Sequence, residues 1–241
     1  MNTIRTIAGR ELGSYFKSGA GWALIALFVF ISGVIVWMTA LSPGRAASLR
    51  TYFDLCGWLL LPIAPAVTMR LIAEEIRSGT IETLLTAPVS GAQLVLGKFI
   101  GALGFLLCAM IPTIVYVALL YRFASPAPDA GAIMAGYLSL VLLGIFMVAL
   151  GTLTSALTSN ATLAFMMCFF TLLAMLISGS LASSQWVPEQ LRAPLYAMCI
   201  GPRLQDFAKG VADLRHIAFF LGSAAVCLTG ATISVESRRM R

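Results

Sequence analysis

Six apolar runs separated by polar stretches dominate the chain, at residues 22–41, 53–72, 99–120, 133–153, 161–181 and 217–235. Each is close to the roughly 20 residues that carry an α-helix across a hydrocarbon core. None alternates apolar with polar positions as a barrel strand would, and in lipid a lone segment satisfies its own backbone only as a helix. The pattern predicts an all-α, polytopic membrane protein with six transmembrane helices. Ahead of the first run, Ile4, Ile7, Ala8, Leu12, Tyr15 and Phe16 recur at helical spacing, while Arg5, Arg10, Glu11 and Lys17 take the other face. Residues 1–20 therefore predict an N-terminal amphipathic interfacial helix with its basic side toward lipid headgroups. The run that follows is too long for a signal-peptide core and has no small-x-small site after Leu41, so it is expected to stay as an anchor.

Composition sharpens this picture. The chain of 241 residues is 59% hydrophobic and only 11% charged, against about 25% charged in a soluble domain. A soluble domain could not hide so much apolar surface, and a disordered chain would not carry it. The net charge of +6 is then better read as membrane-edge anchoring than as a nucleic-acid footprint, and no nucleic-acid partner is expected. An even number of spans puts both ends on one side. That side holds nine Lys and Arg residues against seven opposite, which leans toward cytoplasmic termini.

Catalytic chemistry is hard to place anywhere. Cys56, Cys108, Cys168, Cys199 and Cys227 are widely spaced, and His216 is the single histidine, so neither a disulfide framework nor a metal site is expected. No Ser-His-Asp or paired-carboxylate arrangement appears, so no enzyme is expected. Gly97-Lys98 ends a stretch with Ala92 and Phe99 where a phosphate-binding loop needs a glycine and a hydroxyl. No span carries a charge in its middle, with Asp54 and Arg70 only at the ends of the second. Ion-driven carriers usually need such intramembrane acids, so energy for any transport is expected from elsewhere. Pro62 and Pro65 in the second span and Pro112 in the third predict kinks. These either shape a path or accommodate packing. Gly97, Gly101 and Gly104 predict close helix approach near the start of the third span.

The connection from Arg70 to Pro88 is the most polar part of the chain. Gly79 can end the helix leaving the membrane, and Thr80 can cap a short new one with Glu82 and Thr83 in its first turn. Pro88 stops that helix, and Ser90 caps the next. The expected product is a short helix across the membrane face. Between the fifth and sixth spans, residues 182–216 are too long for a tight connector. There Leu204, Phe207, Val211 and Leu214 repeat at helical spacing beside Lys209, Asp213 and Arg215.

The run Pro65-Ala66-Val67-Thr68-Met69-Arg70, Glu74-Glu75, Gly79-Thr80-x-Glu82-x-Leu84-Leu85-Thr86-x-Pro88-Val89 and Val95-Leu96-Gly97-Lys98-Phe99 resembles ABC-type exporter permeases of the type-2 class, in particular the gliding-motility-associated branch. The stretch Asp206-Phe207-x-Lys209-Gly210-Val211-x-Asp213-Leu214-Arg215 is similar too, and the resemblance runs the length of the chain. It implies a single permease domain over 1–241: spans one to five in 22–181 with a coupling loop at 74–98, an outer loop at 182–216 and span six at 217–235. It further implies that the loop holds a coupling helix seated on a separate ATP-hydrolysing subunit, with Glu74, Glu75, Arg77, Gly79, Thr80, Glu82 and Pro88 at or beside the contact. Phe207, Lys209, Gly210, Asp213 and Arg215 fall in an outer region that the resemblance builds from short re-entrant helices. The implied assembly has two cytoplasmic ABC ATPase subunits holding ATP and Mg, a second copy or a related permease, and the lipid bilayer of a bacterial inner membrane. The chain itself would bind no cofactor. The other function kept open is a non-transporting subunit that passes ATPase-driven motion to a periplasmic or auxiliary membrane partner.

Overall fold

A computed structural model of the chain describes residues 2–40, 48–80, 90–123, 128–183, 187–210 and 213–239, and every element among them is helical. Six helical segments are long and apolar enough to cross a membrane: Gly19–Thr39, Arg50–Arg77, Gly91–Phe123, Ala130–Leu157, Ala161–Ala182 and Leu214–Arg238. Most begin a few residues before the apolar run that announced them. Hydropathy marks the part facing lipid, whereas the helix starts at a polar cap. Ser18, Asp129 and Asn160 each accept a backbone N–H in the first turn that follows, and Ser90 forms a reciprocal capping box with Gln93.

The leading helix α1 (Asn2–Lys17) meets the first span α2 (Gly19–Thr39) at Ser18. The second span is α3 (Arg50–Thr68) and a one-turn α4 (Ala73–Arg77). The third is α5 (Gly91–Met110), a 3₁₀ turn at Ile111–Thr113, and α6 (Ile114–Phe123). Then come α7 (Ala130–Leu157) and α8 (Ala161–Ala182), two short helices α9 (Glu189–Met198) and α10 (Gly201–Ala208), and the last span α11 (Leu214–Arg239). α7 is the hub: 72% of its spanning window is buried, against 22% for the first and last spans. Glycines let the second span close on it. Gly136 faces the ring of Phe53 and Gly151 faces Thr68, with no room for a Cβ at either position.

The helix of the second span runs through Pro62 and Pro65 and breaks only at residues 69–72. A break inside a bundle leaves backbone groups that need partners. Ser155 of α7 supplies them: its Oγ accepts from Ile72 N and Ala73 N, both at 3.0 Å, and donates to Met69 O at 3.2 Å. Ser155→Ala should orphan two buried N–H groups and destabilise the protein by about 2 kcal/mol, read as a lower unfolding temperature in detergent. An unchanged unfolding temperature would remove this role. The third span bends where Pro112 sits in the 3₁₀ turn, and Tyr137 Oη donates to the Thr113 carbonyl at 2.9 Å.

The apolar face of α1 packs along the Gly97, Gly101 and Gly104 face of α5. A Cβ at Gly97 would lie 2.8 Å from Ile7, and one at Gly101 2.6 Å from Glu11 Cβ. One expectation changes: Leu204, Phe207 and Leu214 do not share one helix. α10 ends at Ala208, Gly210 turns the chain with φ +87° against Ala132, and Leu214 opens the last span. Only glycine takes that left-handed turn without strain, so the break follows the backbone and not the apolar spacing; Val211 lies outside the described residues.

Candidate functional site

At the end of the bundle where α1, α4 and the start of α5 converge, the chain buries an ion cluster. Lys98, on α5, is only 3% exposed. Its Nζ lies 2.8 Å from Glu75 Oε1 on α4 and 3.6 Å from Glu11 Oε2 on α1, and donates to Leu71 O at 2.5 Å. The carbonyl of Leu71 belongs to the same helix break that Ser155 stitches. One ammonium therefore ties three elements together. The cluster keeps one net negative charge, and Glu75 Oε2 is buried without a hydrogen-bond partner.

The surrounding contacts set α1 in place. Tyr15 stacks on Phe105 with ring centroids 4.7 Å apart, and its hydroxyl donates to Val67 O at 2.7 Å. Burial, with the Glu11 carboxylate second, pushes the Tyr15 pKa above its ordinary value, so it stays a neutral donor. Gly91 packs against Glu236, and Ser234 Oγ donates to Ala156 O at 3.1 Å. The far end of α11 thus reaches the same face.

Beyond the cluster the polar strip turns outward. Glu74, Arg77, Gly79 and Thr80 are exposed, and Gly79 takes φ +72° just after the helix end. Ser78 Oγ donates to the Glu74 carbonyl at 2.8 Å and lies 2.9 Å from Thr80 Oγ1. Glu82, Thr83 and Pro88 lie outside the described residues. Pro62 is exposed on the second span, Pro65 is buried, and Pro112 is half-buried at the opposite end.

The outer residues form a separate group at that opposite end. Phe207 is buried, and Leu204 reaches Gly57 of the second span. Asp206 pairs with Lys209 at 3.6 Å and with His216 Nε2 at 3.2 Å. Asp213 Oδ1 accepts from Arg215 N at 2.9 Å at the start of α11. Arg203, which the sequence pattern did not single out, donates to the carbonyls of Cys199 and Ala197 and lies 3.7 Å over the Phe219 ring. Its burial lowers its pKa, with Cys199 acting the other way.

Lys98, one of the basic residues expected at the membrane edge, is buried, and Glu11, expected on the headgroup-facing side of α1, turns inward. A signal for Glu11 was present. Residues 4, 7, 8, 11, 12 and 15 form one continuous helical stripe, so Glu11 sits among the apolar positions. Lys98 lies between two of the glycines that admit that same face.

The polar strip, with Glu75 and Lys98 of the cluster, falls within residues 45–196, which match the model of the ABC-2 family transporter protein, while Glu11 precedes the match. The chain belongs to the ABC-2 transporter family. Its relatives are permeases. The probable ABC transporter permease protein NosY of Pseudomonas aeruginosa is 30% identical over 152 residues, 61% of this chain and 52% of that protein. NosY of Stutzerimonas stutzeri is 30% identical over 107 residues, 42% of this chain and 39% of its own length. The probable multidrug ABC transporter permease YbhR of Escherichia coli K12 is 31% identical over 127 residues, 52% of this chain and 33% of its own. The chain thus spans about half or less of the length of these relatives. The chain is thus a member of the ABC-2 transporter family with six helices long and apolar enough to cross a membrane.

Proposed function

We propose that this ABC-2 permease is the membrane-spanning subunit of an ATP-driven exporter, and that the polar strip of residues 74–88 docks an ATP-hydrolysing subunit made on another chain. One observation supports the reading: the described start of the strip, residues 74–80, is anchored through Glu75 to Lys98 and Glu11. A push on Glu74, Arg77 or Thr80 would therefore reach α1, the second span and the third span together, as a rigid-body tilt requires. Glu82, Thr83 and Pro88 extend the docking surface in sequence.

In this reading two cytoplasmic ATPases hold ATP and Mg, and two permease copies, or this chain and a related permease, enclose the path. Both termini lie in the cytoplasm of a bacterial inner membrane, which the excess of Lys and Arg on that side supports. The multidrug designation of YbhR supports outward transport. The likeness of the 65–99 run and of Asp206–Arg215 to the gliding-motility-associated branch is the finer part of the proposal. Affinity purification of the full chain from native membrane in mild detergent should recover an ATP-hydrolysing subunit in near one-to-one amount. Recovery without any nucleotide-hydrolysing partner would overturn the reading.

A further inference from the structure

Between α1, α2 and the second span lies a cavity of about 820 Å³, a size typical of small-molecule sites. Its two halves differ in chemistry. One wall is apolar, formed by Leu24 and Leu27 of α2 and Ala66 and Val67 of α3. The other end carries Arg70, Glu74 and the Lys98–Glu75–Glu11 cluster. Lys98 is already committed to its two carboxylates and a carbonyl. Arg70 and Glu74 are exposed, and among the described residues neither side chain is in an ion pair.

The depth of the cavity matters as much as its lining. From Ser18 to Leu27, both at its edge, α2 descends about 13 Å, close to half of a hydrocarbon core about 30 Å thick. Trp22, one turn along α2 from Ser18 and outside the cavity lining, is 58% exposed with its indole N–H on the Phe16 carbonyl at 2.9 Å, the placement of an interfacial tryptophan. The charged mouth therefore lies at headgroup level and the apolar wall at acyl-chain level. A soluble ligand would leave Leu24 and Leu27 unused, and a purely apolar one would strand Arg70 and Glu74.

We infer that this cavity holds a zwitterionic phospholipid with a primary ammonium in its headgroup, of the phosphatidylethanolamine type, taken from the adjoining leaflet. Arg70 meets the phosphate, Glu74 meets the ammonium, and one acyl chain runs along Leu24 and Leu27. Charge decides the headgroup class. With Arg70 and Glu74 cancelling, the cluster leaves the mouth with one net negative charge, so a lipid with an anionic head is repelled while an ammonium is drawn in. A quaternary ammonium carries no N–H to donate to Glu74, so the choline headgroup is bound less well than the ethanolamine one. Glu74 also belongs to the proposed docking strip, so lipid retention is tested on the chain without an ATPase partner.

The test is native mass spectrometry of the full chain purified in detergent, with phosphatidylethanolamine, phosphatidylglycerol or phosphatidylcholine of the same acyl composition added separately. Phosphatidylethanolamine should be retained most. Arg70→Glu should lower that retention about ten-fold, the loss of one charge-assisted phosphate contact. Leu27→Trp, which fills the apolar half and leaves the charges untouched, should lower it as well. Because Leu27 is half exposed, this second variant does not disturb the core. Equal retention of the three lipids, or wild-type retention by both variants, would overturn the inference.

Discussion

Lys98→Met is expected to destabilise the protein by about 3 kcal/mol, the usual cost of leaving a buried charge without its partner. The substitution keeps the volume of the side chain and its apolar stem. What it removes is the single cation between Glu75 and Glu11, whose side chains are only 18% and 16% exposed. Two carboxylates would then face each other with little water to screen them, and the Leu71 carbonyl would lose its donor. Unfolding of the purified chain in detergent, followed by tryptophan fluorescence, should begin at a markedly lower temperature. A companion variant separates charge from packing. Adding Glu11→Gln and Glu75→Gln to Lys98→Met should recover more than half of the loss, because neutral amides no longer repel. If Lys98→Met unfolds at the wild-type temperature, the cluster does not hold α1 and α4 to α5.

Much of the architecture could be read directly from the residues, because lipid forces a simple code of long apolar runs on a spanning chain. The six spans and the helix caps at Ser90 and Gly79 are where local chemistry placed them. The close approach at Gly97, Gly101 and Gly104 is also visible in the spacing. Tertiary pairings were less legible. Whether a charge at a membrane edge points to water or inward depends on what packs over it. Glu11 turns inward because α1 lies on α5, and Lys98 is buried because Glu11 and Glu75 arrive from two other elements. No local window contains all three. The break at residues 69–72 was hidden for the same reason: the prolines suggest a kink earlier, while Ser155, more than 80 residues away, stabilises one later. Arg203 likewise gains its role only when Phe219 and two carbonyls converge on it. The polar strip stood out by composition, and its anchoring emerged only from the fold.

In the proposed function, force enters the bundle through the strip at residues 74–88. Glu82→Arg tests it most directly. It reverses one charge on the proposed docking surface while leaving Lys98, Glu75 and Glu11 untouched. A like-charge contact or a lost ion pair with the ATPase would weaken docking by about 3 kcal/mol, some two powers of ten in affinity. The measurement is ATP hydrolysis by the complete complex in lipid, with and without the permease, alongside the amount of permease inserted in the membrane. Insertion should be normal, and the hydrolysis rate should no longer respond to the permease. Wild-type coupling in the Glu82→Arg complex would contradict entry of force through the strip.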